Sequence, residues 1–328
     1  MFRKLPTIDL ADELIDRAFK RSKKIQMMDR DATYRMKKTI IARTESFVAT
    51  IVSPLETYVK KFPSIDTLHP FYRDLIDIKI DSNKLKKALG AVDWARKTCQ
   101  RIQTSQLKSL TKSKNIDFLK QKQYEIQGRI SSVVKQVNAE LQILAEAQKI
   151  LKTFPTVQDI PTVVIAGYPN VGKSSLLRRL SSAKPAVAQY PFTTKDIYVG
   201  HMKQADHYVI KQFQLIDTPG LFDRPLEKRN DIEKQAIAAL SHLADIILLV
   251  LDPSETCGYS LNDQHQLLAQ VHHLFPKASV LVVENKGDIK KSSSGNLSIS
   301  CDDGTGIDIL IKELFARYPA HQADDKNT

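Results

Sequence analysis

The chain has 328 residues, 42% hydrophobic and 26% charged, so it holds apolar material for about two domains of ~150 residues and does not read as a disordered chain. Its net charge of +12 is confined to the first half: residues 1–160 carry 31 Lys and Arg against 18 Asp and Glu, and residues 161–328 carry 18 against 19. No apolar run exceeds Ile246–Leu251, no apolar leader follows Met1, and three cysteines (Cys99, Cys257, Cys301) are scattered, which excludes membrane, secreted, disulfide-framework and cysteine-zinc classes and leaves a soluble, cytoplasmic protein.

The first half reads as helices. Leu10, Leu14, Ile15 and Ala18 recur at helical spacing, and so do Ile130, Val133, Val134, Val137, Leu141, Leu144 and Leu151. The second set predicts one long helix from near Lys114 to Leu151. Phe62-Pro63 and His69-Pro70 mark inter-helix turns, because a residue before proline is pushed out of the helical region. Only Gly90 and Gly128, of eleven glycines, fall in this half. An antiparallel bundle of four or five helices over residues 1–155 is the predicted architecture.

Pro155 and Pro161 interrupt the helical pattern and mark a domain boundary. Beyond it, apolar β-rich runs at Thr162–Ala166, Phe213–Ile216, Ile246–Leu251 and Val280–Val283 alternate with helical stretches. That alternation predicts an α/β domain with a mainly parallel sheet over residues 161–320, followed by a flexible tail at 321–328.

Three motifs sit at the ends of these strands. The first is Gly167-Tyr168-Pro169-Asn170-Val171-Gly172-Lys173-Ser174-Ser175, a Gly-x-x-x-x-Gly-Lys-Ser loop between strand and helix. Its glycines let successive N–H groups face a phosphate, and the following helix N-terminus adds its dipole. Lys173 is placed to reach the β- and γ-phosphates, Ser174 to ligate Mg²⁺ and Ser175 to contact the α-phosphate. The second motif is Asp217-Thr218-Pro219-Gly220, in which Asp217 holds Mg²⁺ through a water and the Gly220 N–H approaches the γ-phosphate. The third is Asn285-Lys286-Gly287-Asp288. The Asp288 carboxylate accepts from the N1–H and exocyclic amine of guanine, whereas adenine presents an acceptor at N1 and no such amine. Lys286 lays its aliphatic stem on the purine, Asn285 ties this loop to the phosphate loop, and Ser300-Cys301-Asp302 offers a backbone N–H to the base oxygen. Three motifs in this order point to GTP and GDP as ligands, with Mg²⁺.

Between the first two motifs lies Tyr190-Pro191-Phe192-Thr193-Thr194-Lys195. Thr194 is the residue chosen to complete the Mg²⁺ shell when the γ-phosphate is present, which makes this loop a switch; β-propensity alone also accounts for a Thr-Thr pair. The position after Gly220, where many GTPases carry a water-orienting glutamine, is Leu221, so slow intrinsic hydrolysis is expected. Asn170 either helps ligate a K⁺ beside the β/γ-phosphates or only shapes the turn. Lys195 and Arg224 are solvated or RNA-facing rather than catalytic in this reading. His69, His201, His207, His242, His265, His272 and His273 stand at no metal-ligand spacing, and no Gly-x-Ser-x-Gly hydrolase motif occurs.

Taken together, the phosphate loop, Tyr190–Lys195, Val199-Gly200-His201, Ile216–Leu221, Asp223-Arg224-Pro225-Leu226, Arg229–Glu233 and Ser254–Leu261 resemble the Nog (nucleolar GTP-binding protein) branch of the Obg-related GTPases. Leu5-Pro6-Thr7-Ile8, Phe62-Pro63 and His69-Pro70-Phe71-Tyr72 resemble that family's helical domain. The resemblance implies a P-loop GTPase acting in large-ribosomal-subunit assembly, bound to rRNA and working among other assembly factors. Eukaryotic members carry a long C-terminal extension not seen here, so the chain resembles a short archaeal form. The charge fits independently: clusters such as Arg35–Lys38, Lys84–Lys87 and Lys108–Lys122 suit phosphate backbones, though a solvated helix face, an acidic protein or a membrane surface would carry similar charge. A monomer without a membrane partner is expected. A regulatory module recruiting a protein in the GTP state, or an accessory to another subunit's modification chemistry, are the competing readings.

Overall fold

A computed structural model describes residues 2–188, 197–206, 209–219, 222, 229–291 and 294–318. The chain divides into two compact units, Met1–Leu68 with Lys79–Lys152, and His69–Ile78 with Thr153–Thr328. Six α-helices precede the first strand: α1 (Ala11–Lys23), α2 (Ala32–Lys61), α3 (Pro70–Lys79), α4 (Ser82–Lys112), α5 (Ile116–Gln136) and α6 (Asn138–Thr153). All but α3 belong to the first unit, a helical bundle.

Each long helix starts where its side chains can satisfy first-turn N–H groups. Asp31, Asp81 and Asn115 accept from the first turns of α2, α4 and α5. The bundle core is mainly apolar, with Phe47, Ile51 and Leu55 of α2, Val92 and Cys99 of α4, and Ile130 and Val134 of α5 all inaccessible to solvent, and the buried Thr44 hydroxyl donates to the Ile40 carbonyl of its own helix. The single helix expected from Lys114 to Leu151 is instead two. Val137 leaves helical geometry (φ −104°, ψ 19°), and Asn138 starts α6 with its Oδ1 accepting the Ala11 N–H at 3.0 Å. The apolar periodicity continues across this break because both halves bury the same stripe. Periodicity alone could not see a break made to cap another helix.

In the second unit, the Tyr72 hydroxyl of α3 donates to the Pro155 carbonyl (2.9 Å) and accepts the Val157 N–H (2.8 Å). This fastens α3 to the segment leading into the sheet. Seven strands follow, β1 (Thr162–Ala166), β2 (Ala186–Ala188), β3 (Ile197–Asp206), β4 (Val209–Asp217), β5 (Ile246–Leu251), β6 (Ser279–Glu284) and β7 (Leu297–Ser298), in the order β2-β3-β4-β1-β5-β6-β7. The β2–β3 and β3–β4 pairs are antiparallel and the rest parallel. Helices α7 (Lys173–Leu180), α8 (Asp231–Ser241), α9 (Leu261–Leu274) and α10 (Ile307–Ala316) complete the unit. Strands β1 and β5 are buried at every residue, which is why they read as unbroken apolar runs. Register aligns Ile165 with Asp217, Ala166 with Leu249, and Leu251 with Glu284, so the carboxyl ends of β1, β4, β5 and β6 meet at one edge. Loops leaving that edge are where an open α/β sheet binds its ligand. The tail at 321–328 lies outside the described residues.

Candidate nucleotide-binding site

The phosphate loop leaves β1 and curls into α7. Its backbone has positive φ at Gly167 (147°), Asn170 (62°) and Gly172 (103°). A Cβ on Gly167 would stand 2.5 Å from the Val250 carbonyl, and one on Gly172 would stand 2.2 Å from Asn285 Nδ2, so both glycines are required by space as well as by conformation. Asparagine is among the few side chains at ease in the left-handed region, which gives Asn170 a turn-forming role in its own right. Within the loop, Pro169 is half-buried and Val171 fully buried. Lys173 is 7% exposed, and its Nζ donates to the carbonyls of Gly167 and Tyr168 at 2.7 Å each. Its ammonium is thus held over the loop. Ser175 faces solvent on the first turn of α7.

Asp217 ends β4 fully buried, and Ser174 Oγ donates to its Oδ2 at 2.5 Å. Together they present a hydroxyl and a carboxylate, all oxygen, at the edge where the phosphate loop lies. That donor set fits a small hard divalent cation such as Mg²⁺. Among the described residues no cluster of His, Cys, Asp and Glu forms another metal site.

Two loops at the ends of β6 and β7 form the far side. Asn285 is buried; its Nδ2 donates to the Val171 carbonyl at 2.9 Å, and its Oδ1 accepts the Cys301 N–H at 3.0 Å. One side chain therefore joins the phosphate loop, the Asn285–Asp288 loop and the Ser300–Cys301 loop. Of the backbone N–H groups in the Ser300-Cys301-Asp302 segment, that of Cys301 is engaged by Asn285, that of Ser300 by the Thr305 carbonyl and that of Asp302 by Ser300 Oγ. Ser300 Oγ accepts the N–H groups of Asp302 and Asp303, and Arg179 of α7 donates to the Cys301 and Asp302 carbonyls. Burial pushes the Cys301 thiol up to about 11, so it is protonated at neutral pH. Asp288 is exposed at the loop tip.

A residue the sequence reading passed over organises this side. Asp252, fully buried just past β5, accepts Lys286 Nζ at 2.6 Å, Ser254 Oγ at 2.5 Å, Thr256 Oγ1 at 3.1 Å and the Cys257 N–H at 2.9 Å. Burial pushes its carboxyl pKa up, but these donors, Lys286 foremost, outweigh burial and hold it below the ordinary value. Lys286 itself has φ 63° and also donates to Thr256 Oγ1 at 2.7 Å. Gln264 of α9 closes the loop, accepting the Asp252 N–H and donating to the Asp252 and Tyr259 carbonyls. The Tyr259 ring packs on Tyr168 of the phosphate loop at 4.5 Å between centroids. Ser254–Leu261 entered the sequence reading only as a point of family resemblance. A carboxylate at the end of a buried strand was the signal that could have singled out Asp252.

Thr194 and Gly220, with Tyr190, Phe192, Lys195, Leu221 and Arg224, lie outside the described residues. Comparison with known proteins covers both units. A family model described as the NOG1 N-terminal helical domain matches residues 2–158, and one described as 50S ribosome-binding GTPase matches residues 162–286. An uncharacterized protein of Methanocaldococcus jannaschii is 37% identical over 292 residues, 88% of this chain and 81% of that one. Nucleolar GTP-binding protein 1 of Encephalitozoon cuniculi is 35% identical over 81% of this chain and 54% of its own length. A solved Plasmodium falciparum chain named for nucleolar GTP-binding protein 1 is 32% identical, with a TM-score of 0.42 over 50% of this chain and 89% of that one. The chain thus spans most of the archaeal relative and about half or less of the nucleolar ones.

Proposed function

The chain belongs to the Nog branch of the Obg-related GTPases, and from that premise we propose that it is a GTP-switched assembly factor of the large ribosomal subunit, docking on rRNA through its helical unit. It binds guanine nucleotide through a P-loop GTPase domain. The observation that carries the proposal is the pairing, within one chain, of that domain with a basic helical unit that the NOG1 N-terminal model matches.

In this reading each residue has a task. Lys173 meets the β- and γ-phosphates, the backbone of Gly167–Gly172 cradles them, and Ser175 contacts the α-phosphate. Ser174 and Asp217 hold Mg²⁺, Asp217 through a water. When bound, Mg²⁺ supplies charge neutralisation on the phosphate oxygens. Thr194 and Gly220 sense the γ-phosphate. On the base side Asp288 selects guanine, the Lys286 stem covers the purine, and Asn285 with Ser300 and Cys301 holds the loops in place around it. Leu221 cannot orient water, so hydrolysis is slow, and Asn170 lends it a dependence on K⁺. GTPase rates higher in K⁺ than in Na⁺ at equal ionic strength are expected; equal rates remove the Asn170 role.

Docking on rRNA is tested by co-sedimentation with large ribosomal subunits and their precursors in GDP, a non-hydrolysable GTP analogue and no nucleotide, at two salt concentrations. Stronger association with the analogue, weakening as salt rises, is expected for a cytoplasmic factor that leaves its particle on hydrolysis. Absence of association with every particle in every state overturns the ribosomal role and leaves the GTPase reading standing.

A further inference from the structure

The net charge of the chain is not spread over the helical unit. Residues 23–38 and 108–124 together hold eleven Lys and Arg against three Asp, a net of +8 of the whole chain's +12 in about a tenth of its length. The first segment joins α1 to α2, and the second joins α4 to α5. The fold brings them to one end of the bundle: Lys37 Nζ donates to the Thr111 carbonyl at 2.6 Å, and one cavity of about 430 Å³ is lined by Asp31, Thr33, Tyr34, Lys37 and Lys114. Two of the three carboxylates are already engaged, Asp29 with Lys38 at 2.9 Å and Asp31 with the first turn of α2. Arg30, Arg35, Lys112, Lys114 and Lys120 are exposed and hold no ion pair among the described residues.

The same end exposes planar and polarizable side chains that a solvated helix face has no use for. Tyr34 is 50% exposed, Tyr124 71% and Met28 89%, with Met27, Met36 and Phe118 also open to solvent. Along the chain they alternate with cations, Tyr34 and Met36 on either side of Arg35 and Phe118 and Tyr124 on either side of Lys120 and Lys122, and Lys38 Nζ lies over one face of Tyr34 at 4.5 Å from the ring centroid. A lipid surface or a partner helix would ask for a continuous apolar stripe. Cations interleaved with separate ring faces, beside an open cavity floored by a tyrosine, suit unstacked nucleotides: phosphates take the cations and bases stack on the rings.

We infer that this end of the bundle is an RNA-reading surface for an unpaired loop or bulge, with one base stacked on Tyr34 in the cavity beside Lys114. The inference rests on the rRNA-docking reading above and assigns it a place and a substrate class: single-stranded rather than duplex RNA.

The test uses the full chain with GDP bound, fluorescence anisotropy against a labelled hairpin-loop RNA and a blunt duplex of equal length, and sedimentation with large-subunit particles. Wild type is expected to prefer the loop RNA. Tyr34→Ala should weaken loop binding about tenfold and leave duplex binding within about twofold, because stacking is lost but charge is kept. The triple variant Arg35→Glu, Lys112→Glu, Lys114→Glu should lower the slope of log affinity against log salt by about 2 and release the protein from particles. Lys84→Glu with Lys87→Glu, elsewhere on the bundle, should do neither. GDP affinity and the helical circular dichroism of each variant establish that it is folded. If the wild type binds particles and the triple variant binds them equally well, the surface is wrong and the docking reading survives. If the wild type binds no RNA and no particle, both fail. Equal loss from both RNAs on Tyr34→Ala, or tighter binding to anionic vesicles than to RNA, overturns the assignment of unpaired RNA to this surface.

Discussion

Lys286 sits in the base-side loop with a left-handed backbone, and a free lysine there would sample many rotamers. Asp252 removes that freedom. The pair is 2.6 Å long between a fully buried carboxylate and a side chain 20% exposed, and Thr256 Oγ1 takes a second hydrogen of the ammonium. A charge-assisted hydrogen bond of this kind contributes about 1.5–3 kcal/mol. If its role is to hold the Lys286 stem ready for the purine, Asp252→Asn should weaken GDP affinity by about tenfold, measured by titration of a fluorescent GDP analogue. Unchanged affinity would show that Lys286 finds its place without Asp252. The same carboxylate also collects the Ser254 hydroxyl and the Cys257 N–H, so a companion melt without nucleotide separates loop collapse from lost positioning.

Helix α1 is anchored by a three-residue lock rather than by apolar contact alone. Arg17 of α1 donates to Asp9 Oδ2 at 2.7 Å, and the Tyr58 hydroxyl of α2 donates to the same oxygen at 2.9 Å while accepting the Asp9 N–H at 3.1 Å. Burial, with the Asp9 carboxylate beside it, pushes the Tyr58 phenol up to about 12. Tyr58→Phe leaves the ring in the core but strips both hydrogen bonds from Asp9. It should cost the helical unit about 1–2 kcal/mol, read as a lower urea midpoint at unchanged slope. A shift below a few tenths of a kcal/mol would mean that Arg17 alone suffices. The Val137 break belongs to the same scale, since Asn138 spends its side-chain oxygen on the first N–H of α1. Sequence periodicity carried the apolar stripe correctly through that point and missed the exchange of partners, because a cap is a contact across 127 positions and leaves no local trace.

At the scale of the molecule, burial holds several acidic protons among the described residues more tightly folded than unfolded, and three of them rise furthest. Cys99 is raised from 9.0 to about 12, Tyr58 from 10.0 to about 12 and Cys301 from 9.0 to about 11, each first by burial. Cys99 and Tyr58 belong to the helical unit and Cys301 to the GTPase unit. For a group whose folded pKa is raised, unfolding releases a proton once the pH passes the unfolded value, so stability is full below about 9 and falls as pH climbs toward 11–12. Urea midpoints followed by circular dichroism should therefore hold steady from pH 7 to 8.5 and fall by pH 10.5 in both units. Equal midpoints at pH 7.5 and 10.5 would show that these groups are less buried in solution than in the structure. At neutral pH the same burial predicts slow alkylation of Cys99 and Cys301, and of Cys257, whose thiol burial also pushes up, because the thiolate is the reactive form.

Much of this organisation is local and was therefore legible. A parallel strand buried on both faces must be apolar along nearly its whole length, so β1, after its first Thr162, and β5 announce themselves with the same bounds in sequence and structure. A loop that faces phosphate needs glycine where a Cβ would strike Val250 or Asn285, and that requirement fixes Gly167 and Gly172 in any context. Strand β3, which mixes His201 and Lys203 with apolar residues on an antiparallel partner, gives no such run. Helix α3 carries an ordinary apolar stripe of Phe71, Leu75 and Ile76, and nothing in it says that it folds with the sheet-bearing unit. Tyr72 decides that through hydrogen bonds 83 and 85 positions away. The sequence alone determined the three loop motifs and the sign of the charge, because both reside in residue type and short spacing. Only the tertiary structure decided that Asp252 holds Lys286, that Asn285 also reaches the Ser300–Cys301 loop, and that two charged segments 70 positions apart meet at one end of the bundle, because these are relations between residues that the chain order keeps apart.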